Sequence, residues 1–595
     1  MRNAAPGLEL VQGAGTAPGR PAGADGEPGR ATGGRRPSRA AGRRLPAFAE
    51  VVVSVAAALG YTLLSRYVDV DPMNRIGQVS GLAELQQYVA VIGLPLLALL
   101  LYTAHRGSPR RHQLVKRLVC AALAGLATGV IAGGVVVALI GTPSPLGGKH
   151  GDAGALTAMA NSFLHGEGPS GMYPPAFPLL VAAWAKVRHG GTGGAGYSLH
   201  DLQILFSALA GPMAYLAWRL LLRPFWALLV AVPSAVLFLD PIRPYSHIVM
   251  IVLLPLLAHC LREIRSAGER SLKSALLRGA GLGAVLGALF LWYAGWFVWS
   301  VPGVALLALF LFPWREGPVQ RGRALAFVSA VVTTAAVIGA PLLHQMVRLG
   351  SGYPDRYAYL SVYADPAYVL GWASDRSGSL TYENWPAPGE MAGQSGFALL
   401  LLLGVGLGLG LALRSIVARA AAVVLATAWL LRFSLASDME RAQAVQLYPR
   451  TTWLIMYCLM VLAVLGVMAL VQRGSGWVER ALRRSGPAPA RVIPRRVVQQ
   501  VAAGMVCVVA LFATMGASWS VNRYMPSPGE SSMGIDAYRA HTLKKADGSC
   551  PRYAPVRECL TVSTKNWRPN ADEGLWCGGV PADKWPLVCG RESPF

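Results

Sequence analysis

The sequence predicts an all-α polytopic membrane protein, and three observations predict it. Apolar residues fill 53% of the 595 positions and charged residues only 14%, against about a quarter charged in ordinary soluble domains. Apolar runs near the roughly 20 residues needed to cross a bilayer recur along most of the chain. Basic residues gather in alternate connections between those runs, as the positive-inside rule requires of a multi-span protein. The formal net charge of +24 could suggest a nucleic-acid partner. The Lys and Arg are dispersed over short loops and tails, however, and form no continuous stripe, which argues against one.

Residues 1–46 contain eight Arg and no Lys among many Gly, Pro and Ala. Without apolar periodicity they predict a disordered cytoplasmic tail. The run from Ala47 to Leu64 has no Ala-x-Ala-like cleavage site before Arg66, so it predicts an uncleaved first span rather than a signal peptide. With it, thirteen spans are predicted near 47–65, 86–104, 118–140, 201–221, 224–239, 247–261, 279–294, 297–312, 324–346, 396–413, 418–436, 451–471 and 498–516. Alternation from an internal amino terminus places inside the loops at 106–117, 262–278, 315–323, 414–419 and 473–496. These hold twenty-two basic and four acidic residues.

The same alternation sends outward Asp69, Asp71, Asp152, Asp240, Asp355, Asp365, Asp375, Glu383, Asp438 and Glu440. Phe177 to Val187 is too short to cross comfortably, and counting it as a span would reverse every later loop against its charge. It is therefore predicted to be a helix lying at the membrane interface. After the transmembrane domain at 47–516, residues 517–595 form a small external segment with Cys550, Cys559, Cys577 and Cys589. An exported segment with four cysteines predicts two disulfides, with three connectivities open; the spacings match no zinc ribbon or finger. Cys120, Cys260, Cys458 and Cys507 fall in spans, and the glycines of the 404–410 run predict close helix packing.

The residues that could carry chemistry lie on the predicted external face. The stretch Gly147-Gly148-Lys149-His150-Gly151-Asp152-Ala153-Gly154 sets a lone carboxylate at the amino end of a predicted helix at 155–164. It is followed by Tyr173-Pro174-Pro175-Ala176-Phe177-Pro178. Glycosyl transfer from a lipid phosphate needs a base for the acceptor hydroxyl, cations for the departing phosphate and an apolar groove for the lipid. Asp152 is the leading candidate base, with helix capping as the bland alternative. Asp69 and Asp71, just after the first span, are the rival base pair, or simply a solvated loop start.

Arg441 and Arg450 can grip phosphate oxygens through their planar forks, or anchor the helix ends by snorkelling. Arg243, in Asp240-Pro241-Ile242-Arg243-Pro244-Tyr245-Ser246-His247, joins Lys149 and His150 as a further phosphate-binding candidate. Those prolines also fit a plain tight turn. Tyr173, Tyr245, Trp372 and Trp385 are candidate sugar-binding rings, while an interfacial aromatic belt explains the same residue types. No Walker A loop, Rossmann glycine pattern or His-Glu-x-x-His occurs. A soluble nucleotide-sugar donor thus has little to bind. No cofactor is demanded by these residues, and whether a divalent metal ion takes part is left open.

Gly77-Gln78-Val79 before the second span, the Asp152 loop leading to Tyr173-Pro174-Pro175, the Pro244-Tyr245 turn and Gln446-Leu447-Tyr448-Pro449-Arg450-Thr451 occur in an order that resembles one family. It is the galactan 5-O-arabinofuranosyltransferases of actinobacterial cell-wall synthesis, integral-membrane glycosyltransferases of the GT-C type. The resemblance spans most of residues 70–515. It implies a GT-C-like bundle with inverting transfer of arabinofuranose from decaprenyl-phosphoryl-arabinose to a cell-wall galactan outside the cell membrane, Asp152 standing at the base position. The implied partners are a polyprenyl-phosphate-linked donor, a polysaccharide acceptor and membrane lipids. The external carboxyl-terminal segment is shorter than in the family, which leaves the acceptor open. Transfer of another sugar to protein or glycan is the nearest alternative. A lipid-linked-sugar flippase is disfavoured, because transport places ionisable residues at the bilayer midplane.

Overall fold

The computed structural model describes residues 41–105, 110–141, 145–148, 151–168, 171–191, 193–350, 402–442, 447–484, 495–528, 534–542, 549–555 and 559. Their regular structure is helical, with no strand among the described residues. In chain order the helices are α1 (Ala41–Leu64), α2 (Arg75–His105), α3 (Arg110–Ala138), α4 (Gly151–Leu164), α5 (Ala176–Arg188), α6 (Ala195–Arg219), α7 (Pro224–Phe238) and α8 (Pro244–Ala267). There follow α9 (Leu272–Trp292), α10 (Gly295–Leu311), α11 (Pro318–Leu349), α12 (Leu402–Ala412), α13 (Ile416–Ala442), α14 (Tyr448–Arg484), α15 (Arg495–Gly516) and α16 (Ile535–Thr542). A 3-10 segment, Ala517–Tyr524, continues α15.

Helices among the described residues overlap the predicted spans, that at 396–413 only from Leu402 onward, since residues 396–401 lie outside the described residues. Nine helices among the described residues are long and apolar enough to cross a membrane, which makes the chain an all-α, multi-pass membrane protein. α7, α10 and α12 are shorter apolar helices. α6 carries His200, Asp201 and Gln203 in its first turns, and these polar residues dilute its apolar character. α1 begins at Ala41, inside the stretch predicted to be a disordered tail, so the first helix runs into its basic flank. The helix predicted at 155–164 and the interfacial helix predicted at 177–187 correspond to α4 and α5.

Burial separates central from peripheral helices. The apolar windows of α3, α8 and α14 are 89%, 78% and 72% buried, whereas those of α1, α2, α9 and α11 are only 22–28% buried. α3 packs against α1, α2, α6, α7 and α15. Its contact with α1 is made by Gly125, Gly129 and Gly133, one helical turn apart. A methyl group on Gly125 would come within 2.0 Å of the Ser54 carbonyl oxygen, and one on Gly129 within 2.8 Å of that of Ala58. α9 repeats the device against α11, where Gly279 and Gly283 would meet the carbonyl oxygens of Phe327 and Val331 at 2.5 and 2.4 Å. Gly408 of α12 likewise lies over Leu462 of α14. Small residues at four-residue spacing let backbones approach where lipid offers no hydrophobic drive for association.

The ion pairs respect the two ends of the bundle. Near the amino end of α1, Glu50 accepts two bonds from Arg117 of α3, at 2.9 and 3.0 Å, and one from Arg219 of α6 at 3.3 Å. At the same end by helix alternation, Glu263 near the foot of α8 is paired by Arg270 and Arg278. Loops of the opposite set meet one another: residue 69 meets 552, 152 meets 243, and 240 meets 524. Cys550 is disulfide-bonded to Cys559, while Cys577 and Cys589 lie outside the described residues. Cys120, Cys260, Cys458 and Cys507 are free thiols.

Candidate functional site

Asp152 lies in the first turn of α4, after a loop in which Gly147, Gly148 and Gly151 take positive φ values of 82°, 50° and 54°. Such φ values strain any side chain, so the glycines turn the chain sharply into the helix. Gln203 of α6 fixes that loop. Its Oε1 accepts from the Leu146 backbone N–H at 2.8 Å, and its Nε2 donates to the carbonyl oxygens of Leu146 and Ile242, each at 3.1 Å. One buried amide thus stitches the Asp152 loop to the turn between α7 and α8.

That turn supplies the partner of Asp152. Arg243, just before Pro244 opens α8, donates from Nη1 to Asp152 Oδ2 at 3.3 Å and from Nε to Asp240 Oδ2 at 2.9 Å. Asp240 also accepts from the Ile242 N–H at 3.0 Å and from the Tyr524 hydroxyl at 2.7 Å, with Arg523 at 3.8 Å. Burial would push the Asp240 carboxyl up, but Arg243 and Arg523, with the Tyr524 hydroxyl donating, hold it well below the usual carboxylate range. Asp240 is therefore saturated as an acceptor. Among the described residues Asp152 has only the longer bond to Arg243, and it is 13% exposed against 4% for Asp240.

Aromatic rings wall the cluster. Tyr173, before α5, shares a hydrogen bond between hydroxyls with Tyr245 in the first turn of α8. Tyr245 stacks on Phe177 with ring centroids 4.3 Å apart, and Trp292 meets Phe177 edge-on at 5.6 Å. Burial, with the Asp152 charge nearby, pushes the Tyr173 phenol well up, so it stays protonated and able to donate. Arg450, in the first turns of α14, donates to the hydroxyl of Tyr293, which ends α9, and lies within the fields of Asp152, Tyr173 and Arg243. Beneath Tyr245, Trp296 donates to the Ser246 carbonyl oxygen at 2.8 Å. His247 donates from Nδ1 to the Phe238 carbonyl and is packed edge-on by Trp453.

The structure thus brings Asp152, Arg243, Arg450, Tyr173 and Tyr245 into one cluster. It does not bring Asp69 there. Asp69 is held by Arg552 at 2.9 and 3.0 Å and by the Tyr553 hydroxyl at 2.6 Å, both from the carboxyl-terminal segment. Asp71 accepts from the Met73 N–H at 2.9 Å, closing its own turn, and lies in the field of His541. Of the expected base pair, Asp69 docks the tail and Asp71 closes its own turn. Arg441 pairs with Asp438 one turn back on α13 and is 87% exposed, so the expected phosphate clamp is a surface ion pair. Lys149, His150, Trp372 and Trp385 lie outside the described residues.

Sequence reasoning did not assign Gln203, Tyr293, Arg523 or Tyr524 to the site. An amide interrupting an apolar helix, as Gln203 does, is the one signal that could have flagged any of them. Among the described residues no group of three or more His, Cys, Asp or Glu is arranged to hold a metal ion. Chemically, the cluster joins a lightly held carboxylate, two guanidinium groups and phenolic hydroxyls against an aromatic wall. No family model and no curated protein matches the chain.

Proposed function

We propose that the chain is a membrane glycosyltransferase that moves arabinofuranose from decaprenyl-phosphoryl-arabinose to a cell-wall galactan or related glycan, with inversion, on the outer face of the cell membrane. In this reading thirteen spans cross from a cytoplasmic amino terminus, and the carboxyl-terminal segment caps the outer face. The observation that carries the reading is the pairing of Asp152 with Arg243 beside Arg450 and three tyrosines.

Asp152 takes the proton of the acceptor hydroxyl. The acceptor oxygen bonds to the anomeric carbon while the bond from that carbon to the phosphate oxygen breaks, its electron pair leaving with the lipid phosphate. Arg450 and Arg243 meet the charge growing on that phosphate. Asp240 absorbs most of the Arg243 charge and leaves Asp152 lightly held. Tyr173, Tyr245 and Tyr293 offer hydroxyls and ring faces to the sugar.

The test is transfer by purified protein from polyprenyl-phosphoryl pentose and hexose donors. Asp152→Asn should lower turnover by roughly 100-fold or more with the pentose donor, whereas Asp69→Asn should retain it. Loss with Asp69→Asn or Asp71→Asn but not with Asp152→Asn would move the base to the first loop. Transfer confined to the hexose donor would change the sugar, and transfer indifferent to all three substitutions would end the catalytic reading.

A further inference from the structure

Among the described residues Arg432 of α13 is the one guanidinium that is fully buried, at 1% exposure on a helix long and apolar enough to cross a membrane. A cation is costly in such a place and is retained where it has partners and a function. Its partners come from the first turn of α14. Nη1 of Arg432 donates to the hydroxyls of Thr451 and Thr452, each at 2.7 Å, and to the Tyr448 carbonyl oxygen at 3.3 Å. The guanidinium also lies 4.1 Å from the centroid of the Tyr448 ring, a cation–π contact that fixes its plane. Thr451 in turn donates to the Tyr448 carbonyl oxygen at 2.6 Å, which closes the turn on itself.

Arg450 belongs to the same turn. At about 3.6 residues per turn, Tyr448 and Thr452 each stand roughly 200° round the helix from it, on the opposite face. Arg432 therefore grips one side of the turn while Arg450 projects from the other, donating to the Tyr293 hydroxyl and lying within the field of Asp152. An apolar side chain at 432 would pack α13 against α14 equally well. What the arginine adds is a set of directional bonds to three residues of one turn, and these fix the rotation of that turn about the helix axis. Rotation matters here, because a misplacement of about 1 Å in a positioned group can cost on the order of 100-fold in rate.

We propose that Arg432 is a positioning residue for Arg450: by clamping the first turn of α14 it aims the Arg450 guanidinium at the phosphate of the lipid-linked donor. The inference rests on the role given to Arg450 in the proposed reaction. Arg432 itself touches neither sugar nor phosphate and acts through the turn that both arginines share.

The experiment measures binding of farnesyl phosphate, a short polyprenyl phosphate, to the full-length protein in detergent by titration calorimetry, with a thermal melt of each variant alongside. Arg450→Gln and Arg432→Met should each weaken binding about tenfold, and the double variant should bind no worse than Arg450→Gln, because the second substitution acts only through the first residue. Arg432→Met should keep the wild-type melting temperature, and Arg432→Lys should recover part of the lost affinity. Thr452→Val, which removes one acceptor and leaves the arginine in place, should weaken binding in the same direction and decides the matter if Arg432→Met does not fold. Arg441→Gln, at the exposed end of the same helix, should bind like the wild type; an equal loss there would show diffuse charge and overturn the proposal. Additive losses in the double variant would make Arg432 an independent ligand and overturn it too. Full affinity in both Arg432→Met and Thr452→Val, with loss in Arg450→Gln, would end the positioning role and leave the proposed reaction standing. No binding, or binding indifferent to Arg450→Gln, would remove the phosphate role of Arg450 and the positioning role with it.

Discussion

Asp240 and Asp152 share one guanidinium, yet the structure makes them different carboxylates. Asp240, enclosed between α7 and α8, is held ionised by Arg243 and Arg523; Asp152 is partly open and, among the described residues, has one long bond. A carboxylate whose folded pKa is depressed adds stability above its unfolded value, about 3.9, and loses it as pH falls through the folded value. The melting temperature of detergent-solubilised protein should therefore fall as pH drops below about 4. Asp240→Asn should flatten that acid limb and, by stranding Arg243, destabilise the protein by about 3–5 kcal/mol at neutral pH. Asp152→Asn should leave stability nearly unchanged while transfer is lost, a contrast that thermal melts and turnover assays read separately. Asp152 and Arg243 could be nominated from sequence because charges beside apolar runs stand out. Their pairing across 91 residues, and that of Asp240 with Tyr524 across 284, could not.

The helices themselves follow from composition, but their contacts follow from glycine spacing. Gly279 and Gly283 press α9 onto α11 at distances that leave no room for a methyl group, whereas Gly281, between them, has nothing within 4 Å. Gly283→Ala should cost about 1–3 kcal/mol through overpacking. Gly281→Ala should be neutral or stabilising by about 0.5–1 kcal/mol, because alanine is the better helix former. Thermal unfolding of the two variants, followed by helical circular dichroism, distinguishes a packing ridge from mere glycine abundance. The apolar runs marked the nine helices that, among the described residues, are long and apolar enough to cross a membrane. Which glycine faced a neighbour was not legible, because the facing depends on helix rotation set by partners far along the chain. The break at Tyr293 and Ala294 was legible as two separate spans, but its role in turning the Tyr293 hydroxyl toward Arg450 was not.

Across the whole molecule, polar contacts tie the carboxyl-terminal segment to the amino-terminal half, among them one between His541 and the Ile140 backbone. Tyr524 and Arg523 reach Asp240, and Arg552 and Tyr553 reach Asp69. The Tyr553 hydrogen bond, with the Arg552 charge, lowers the pKa of Asp69, so this tie weakens as pH falls through that lowered value. Limited proteolysis near Arg552 should accelerate on acidification, and Asp69→Asn should produce the same sensitivity at neutral pH. Truncation after Ser527 keeps the Asp240 contacts and should preserve the melting temperature. Truncation after Gly516 removes Tyr524 and should lower it.

Composition, run length and the alternation of arginine with carboxylate loops were enough to establish a helical, multi-span membrane protein and to mark where its polar chemistry could lie. Those signals are local, since the bilayer demands apolar runs and satisfied backbones wherever a chain crosses it. The sequence ranked Asp152 ahead of Asp69 and Asp71, but the partners of each carboxylate came only from the folded chain. All three are visible in the sequence, and tertiary contacts give Asp69 to the tail and Asp71 to its own turn. They leave Asp152 beside Arg243, Arg450 and the tyrosines. A side chain's chemistry is decided by the partners that desolvate and neutralise it, and here those partners arrive from helices scattered along the chain.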